Sequence, residues 1–71
     1  TMKKKIKIKI NGKINKIDDK TKLSDLIKNL KVPLTKVAIE LNREIVDKKN
    51  LKRIDLKSND EIEIVHFIGG G

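Results

Sequence analysis

The chain has 71 residues, with 18 Lys and Arg against 10 Asp and Glu, and a formal net charge of +8. That length holds one small domain, and the lack of cysteine excludes disulfide staples and thiolate metal sites. The core has to be aliphatic: 12 Ile, 7 Leu and 4 Val stand against one Phe and no Trp or Tyr, too many apolar side chains for a disordered segment.

Lys5 to Ile10 alternates strictly, which places Ile6, Ile8 and Ile10 on one face of a strand and the lysines on the other. Asn11-Gly12 follows and predicts a tight hairpin, because both residues tolerate positive φ. Lys13 to Ile17 is the expected return strand. Ile14 and Ile17 are three residues apart and break the alternation, which predicts a bulge or an early strand end. Thr21 is the expected helix cap, accepting a backbone N–H bond. Leu23, Leu26, Ile27 and Leu30 then share one helical face, and Asp25 suits the N-terminal end of the helix dipole. Pro33 stops the helix near Leu30 or Lys31.

Val37, Ile39 and Leu41 alternate inward in the next predicted strand. Asn42-Arg43 makes a turn in which Arg43 is a poorer choice than Gly, and Glu44 to Val46 returns. From Asp47 to Ser58 no period is clean. Leu51, Ile54 and Leu56 are expected to pin this stretch, with a helical turn, over one end of the core. Ser58-Asn59-Asp60 reads as a turn, and Glu61 to Phe67 is the last strand, with Ile62 and Ile64 inward. An opening hairpin, one helix and then more strands predict a small α+β domain with the helix packed on a mixed sheet. Strand order within that sheet does not follow from periodicity.

The chain ends Val65-His66-Phe67-Ile68-Gly69-Gly70-Gly71. An extended tail from Ile68 reaches roughly 13 Å and carries a carboxylate with no side chains beside it. The alternatives are a presenting arm for that carboxylate and a frayed terminus without a role. Val65 and Phe67, opposite in phase to Ile62 and Ile64, read either as a docking surface beside the tail or as a second small buried cluster.

The segments Ile8 to Lys13, Leu23 to Ile27, Val37 to Val46 and Asn59 to Gly70, taken in order, resemble the ThiS-like sulfur carriers of thiamine biosynthesis, a ubiquitin-like β-grasp family. A terminal Gly-Gly after this series of elements is the most specific part of the resemblance. Arg43 and Asn59 stand where the family commonly has glycine, which affects turns and not chemistry. The related MoaD-like small subunits of molybdopterin synthase share the fold and the Gly-Gly. They usually carry a Pro-Pro approach to the tail, where this chain has Val65-His66-Phe67-Ile68.

The resemblance implies one domain over 1–71 with a flexible tail over 68–71. A ThiF-like adenylating enzyme would activate the Gly71 carboxylate with its own ATP. A sulfur donor, such as a cysteine desulfurase relay, would convert it to a thiocarboxylate, and thiazole synthase would take the sulfur. Gly69 and Gly70 would form the thin arm, and Val65, Phe67 and Ile68 the docking residues. The carrier would hold no cofactor and no catalytic side chain.

The residues fit poorly with an enzyme. There is one histidine, His66, read as an ordinary strand residue, and Asp18-Asp19 and Asp60-Glu61 fall in predicted turns without metal-ligand spacing. The net charge admits a nucleic-acid module, but the lysines are scattered and Phe67 is the only aromatic for stacking, so nucleic acid is not the expected partner. Conjugation of the tail to a target lysine, as in ubiquitin, stays open because it starts from the same activated carboxylate. No segment is apolar and long enough to span a membrane, and no h-region follows Lys3 to Lys5. The expected compartment is the cytoplasm. Thr1 ahead of Met2 reads as a cloning remnant and Gly71 as the natural C-terminus.

Overall fold

The computed structural model describes residues 4–67. The tail expected over 68–71 lies outside the described residues. Strand β1 (Lys5–Ile10) and strand β2 (Lys13–Asp18) form the predicted hairpin, joined by Asn11 and Gly12 at φ 49° and 82°. Both values lie in the left-handed region that a primed hairpin turn demands.

The ladder between them is continuous, from Lys5 opposite Asp18 to Ile10 opposite Lys13. The expected bulge is therefore absent. Residues directly opposite share a face, so Ile17 sits beside Ile6 on the inner face while Ile14 sits beside Lys9 on the outer one. Ile14 is left 65% exposed. Two residues three apart cannot share a face of a regular strand, and on this edge strand leaving one isoleucine in solvent keeps every ladder bond.

Helix α1 (Leu23–Leu30) buries Leu23, Leu26 and Ile27. Leu30, expected on the same face, remains 40% exposed at the end of the helix. Thr21 is not the cap. The cap position is Lys22, which makes no side-chain cap bond, and the Thr21 hydroxyl donates to the Asp18 carbonyl at 2.6 Å. The start of the helix is held instead by a backbone clamp: Leu23 N–H donates to Ile54 O at 2.9 Å and Leu56 N–H to Thr21 O at 2.8 Å. Lys22 pairs with Asp55 at 2.6 Å across this clamp. At the other end Lys31 closes the helix at φ 58° ahead of Pro33.

A short 3-10 turn over Leu34–Lys36 leads into β3 (Val37–Leu41), and β4 (Glu44–Ile45) returns. The unpatterned stretch forms a 3-10 helix over Lys48–Arg53, with the Asp47 carboxylate accepting from Lys49 N–H at 3.1 Å. Strand β5 (Glu61–His66) completes the sheet, whose order is β2-β1-β5-β3-β4. The last strand lies at the centre, parallel to β1 and antiparallel to β3. One core joins Ile6, Ile8, Val37, Ile39, Ile62 and Ile64 from the sheet to the helix, with Leu51 and Leu56 closing one end. Burying each of these side chains contributes roughly 1.5–3 kcal/mol, and no buried polar or charged residue interrupts them among the described residues.

Candidate functional site

The site is the end of β5 and the sheet face beside it. Two asparagines fix this strand between its neighbours. β1 turns away after Ile10, opposite Ile62. Asn11 extends the ladder beyond that point: its backbone N–H donates to Ile62 O at 2.9 Å, and its side-chain Oδ1 accepts from Ile64 N–H at 2.8 Å. On the other side Asn42 N–H donates to Glu61 O at 2.7 Å, and Asn42 Oδ1 accepts from Glu61 N–H at 2.9 Å. Asn42 Nδ2 also donates to Asp60 at 3.0 Å. Asn42 and Arg43 both adopt positive φ, 52° and 71°, so the β3–β4 turn has the expected geometry despite its arginine.

The exit of the strand is fixed as well. Phe67 N–H donates to Lys36 O at 2.9 Å. The Lys48 ammonium lies 5.6 Å from the Phe67 ring centroid and donates to the Leu34 carbonyl. This cation–π contact, exposed as it is, contributes about 0.5–1 kcal/mol. Whatever follows Phe67 therefore leaves from a strand held along both edges by hydrogen bonds.

Val65 and Phe67 are 47% and 59% exposed, which removes the reading of a second buried cluster. Val65 stands opposite Ala38, and Glu63 opposite Glu40, on the face of the sheet away from the helix. Glu40 in turn faces Ile45, which is 76% exposed. The outer face thus carries apolar Val65, Ala38 and Ile45 beside two carboxylates placed directly across from each other. Such a like-charged pair costs stability, and neither Glu40 nor Glu63 is ion-paired among the described residues. Sequence reading missed Ile45, Glu40 and Glu63 as neighbours of Val65. The alternation of each strand held the signal, but the order of strands was needed to bring them together.

Ile68, Gly69, Gly70 and Gly71 lie outside the described residues. His66 is exposed opposite Val37. Among the described residues no group of three or more His, Cys, Asp or Glu is placed to hold a metal ion, and no helix is long and apolar enough to cross a membrane.

The model of the ThiS family matches residues 8–71 of the chain, from β1 through the three glycines. The chain belongs to the ThiS family. It is 35% identical over 65 residues to the sulfur carrier protein ThiS of Bacillus subtilis, covering 90% of this chain and 98% of that protein. It is 38% identical over 66 residues to a thiazole synthase of Magnetococcus marinus, covering 93% of this chain. There the chain spans only 20% of the length of the relative. A crystal structure of the thiamine biosynthesis protein ThiS from Geobacter metallireducens superposes with a TM-score of 0.81 at 29% identity, covering 93% of this chain and all of the other. The mixed five-stranded sheet with one main helix is the ubiquitin-like β-grasp fold of these ThiS proteins.

Proposed function

We propose that the chain is a sulfur carrier for thiamine thiazole synthesis, with the Gly71 carboxylate as the loading site. The observation that carries this reading is the family match, which continues through the glycines to residue 71. A carboxylate is a poor electrophile. In the proposed cycle its oxygen attacks the α-phosphorus of ATP on a ThiF-like adenylating enzyme, giving an acyl-adenylate and pyrophosphate. A sulfur nucleophile then adds to the carbonyl carbon and AMP leaves. With hydrosulfide the product is the thiocarboxylate directly. With a desulfurase-type persulfide it is an acyl disulfide, which a second thiol cleaves to thiocarboxylate and a disulfide. Thiazole synthase accepts the sulfur, in keeping with the resemblance of this chain to part of two such enzymes.

In this cycle ATP belongs to the partner, and the chain contributes cargo and a surface rather than a catalytic side chain. The arm of Gly69 and Gly70 has no Cβ atoms to collide with a narrow active-site channel. Val65, Phe67 and Ile68 dock beside its root, and Ile45 widens the apolar area on the same sheet face as Val65. Glu40 and Glu63 suit a partner that supplies arginine or lysine there, since an unneutralised pair of carboxylates favours an opposite charge.

Intact mass spectrometry after incubation with the adenylating enzyme, ATP and a sulfide source tests the reading. The expected product has one oxygen replaced by sulfur at Gly71, and a variant extended beyond Gly71 gives none. Absence of the product with an enzyme that demonstrably adenylates another carrier overturns the assignment. A branched adduct on a target lysine in place of the thiocarboxylate moves it to protein modification.

A further inference from the structure

The helix side of the molecule holds a groove that sulfur carriage does not use. It has a volume of about 540 Å3 and runs between the end of α1 and the 3-10 helix at Lys48–Arg53. Val32, Pro33, Leu34 and Leu51 make an apolar floor. Leu34 is 40% exposed on it, an aliphatic side chain with water on one side. Lys28, Lys31 and Lys52 stand around this floor, and no carboxylate lines it.

The lining sets this groove apart from three other pockets among the described residues, which include Glu61, or Glu44 and Asp47. Lys5 pairs with Asp18, Lys22 with Asp55 and Lys49 with Asp47, and Lys9 stands opposite Glu61 on the outer sheet face. Among the described residues none of the groove lysines is ion-paired. Lys28 and Lys31 complement the C-terminal end of the helix dipole. That role does not extend to Lys52, which lies on another element, nor does it explain the open floor.

We propose that this groove docks an acidic, aliphatic segment of a partner protein, with Leu- or Ile-type side chains on the floor and Asp or Glu against the three lysines. Charge complementarity selects the acidic component, and the apolar floor selects a peptide over a polyanion. A nucleic acid would bring phosphates, but the groove offers no aromatic side chain for its bases to stack on. The groove is on the helix side and Val65 is on the opposite face of the sheet. Val65 and the groove can therefore be covered at once, while Lys48 links Phe67 to Leu34 at the groove edge, and the docking does not depend on the chemistry at Gly71.

The test is an NMR titration of the isotope-labelled full chain with an acetylated, amidated peptide of repeating Glu-Glu-Leu, alongside the same peptide with every Glu changed to Gln. The expected result is a set of amide shifts confined to the end of α1, residues 31–34 and residues 51–52. Binding should weaken about tenfold in the Lys28→Gln, Lys31→Gln, Lys52→Gln triple variant, and by a similar factor with the Gln peptide. Leu34→Ser should weaken it in the same residues. Thermal melts check that the variants fold, and the peptide-side change needs no alteration of the protein. No shifts at millimolar peptide, shifts spread over lysines on every face, or equal binding of the Gln peptide would each overturn the proposal. So would tighter binding of oligouridylate at the same residues, which would make the groove a nucleic-acid site.

Discussion

At the residue scale, Asn11 does more than turn the chain. Its backbone takes the left-handed conformation at φ 49°, and its side chain acts as the next acceptor of a ladder that β1 has already left. Asn11→Ala should lose both features and cost about 1–3 kcal/mol, read as a lower midpoint in urea unfolding. Asn11→Asp keeps an acceptor and the tolerance of positive φ and should retain most of that stability. Arg43 is the converse case. It holds φ 71° with no side-chain bond among the described residues to explain its choice. Arg43→Gly removes the left-handed strain but adds freedom to the unfolded chain. The net expectation is a gain of about 0.5 kcal/mol in the same unfolding measurement.

At the element scale, β5 divides its work by alternation. Ile62 and Ile64 close the core, whereas Val65 faces out beside Ala38. Adjacent substitutions should therefore have opposite consequences. Ile64→Asp puts a charge into a site that is 8% exposed and should unfold the domain, as circular dichroism would show. Val65→Asp should change stability by less than about 0.5 kcal/mol. Its binding to the adenylating enzyme should fall about tenfold or more, measured by calorimetry, if the outer face is the docking surface. Loss of fold in Val65→Asp would place that residue in the core and contradict its exposure. The helix shows a different division. Its apolar face was plain in the spacing of Leu23, Leu26 and Ile27, but its start was not, because the clamp replacing a cap comes from residues 54–56, far along the chain.

At the scale of the whole molecule, the positive charge is not evenly mixed. The β5–β3–β4 part of the outer sheet face carries Glu40 and Glu63 among apolar residues and the β1–β2 part carries Lys7, Lys9 and Lys16, while the groove beside α1 is lined by lysines without a carboxylate. One small domain thus presents two faces of different chemistry, with its last strand held between β1 and β3 and leading toward the glycines. Placing the final strand at the centre of the sheet means that its register is fixed from both sides. In the proposed cycle a presenting arm would gain from such a root, since movement of the strand would be carried along the arm.

The strands, the helix, both primed turns and the inward direction of Ile6, Ile8, Leu23, Leu26, Ile27, Val37, Ile39, Ile62 and Ile64 were legible in the sequence, whereas the exposure of Ile14 and Leu30 was not. Those features depend on periods of two and 3.6 and on positive-φ tolerance, all local properties of the backbone. The resemblance in the same segments led to the family. The order β2-β1-β5-β3-β4 was decided only in the tertiary structure, because pairing joins residues such as Lys9 and Glu61 that local patterns cannot relate. The same holds for the solvent-facing Ile14, the clamp in place of a Thr21 cap, and the meeting of Glu40, Glu63, Ile45 and Val65 on one face. Each depends on contacts between elements distant in sequence, where packing and ladder bonds outweigh what any one segment would do alone.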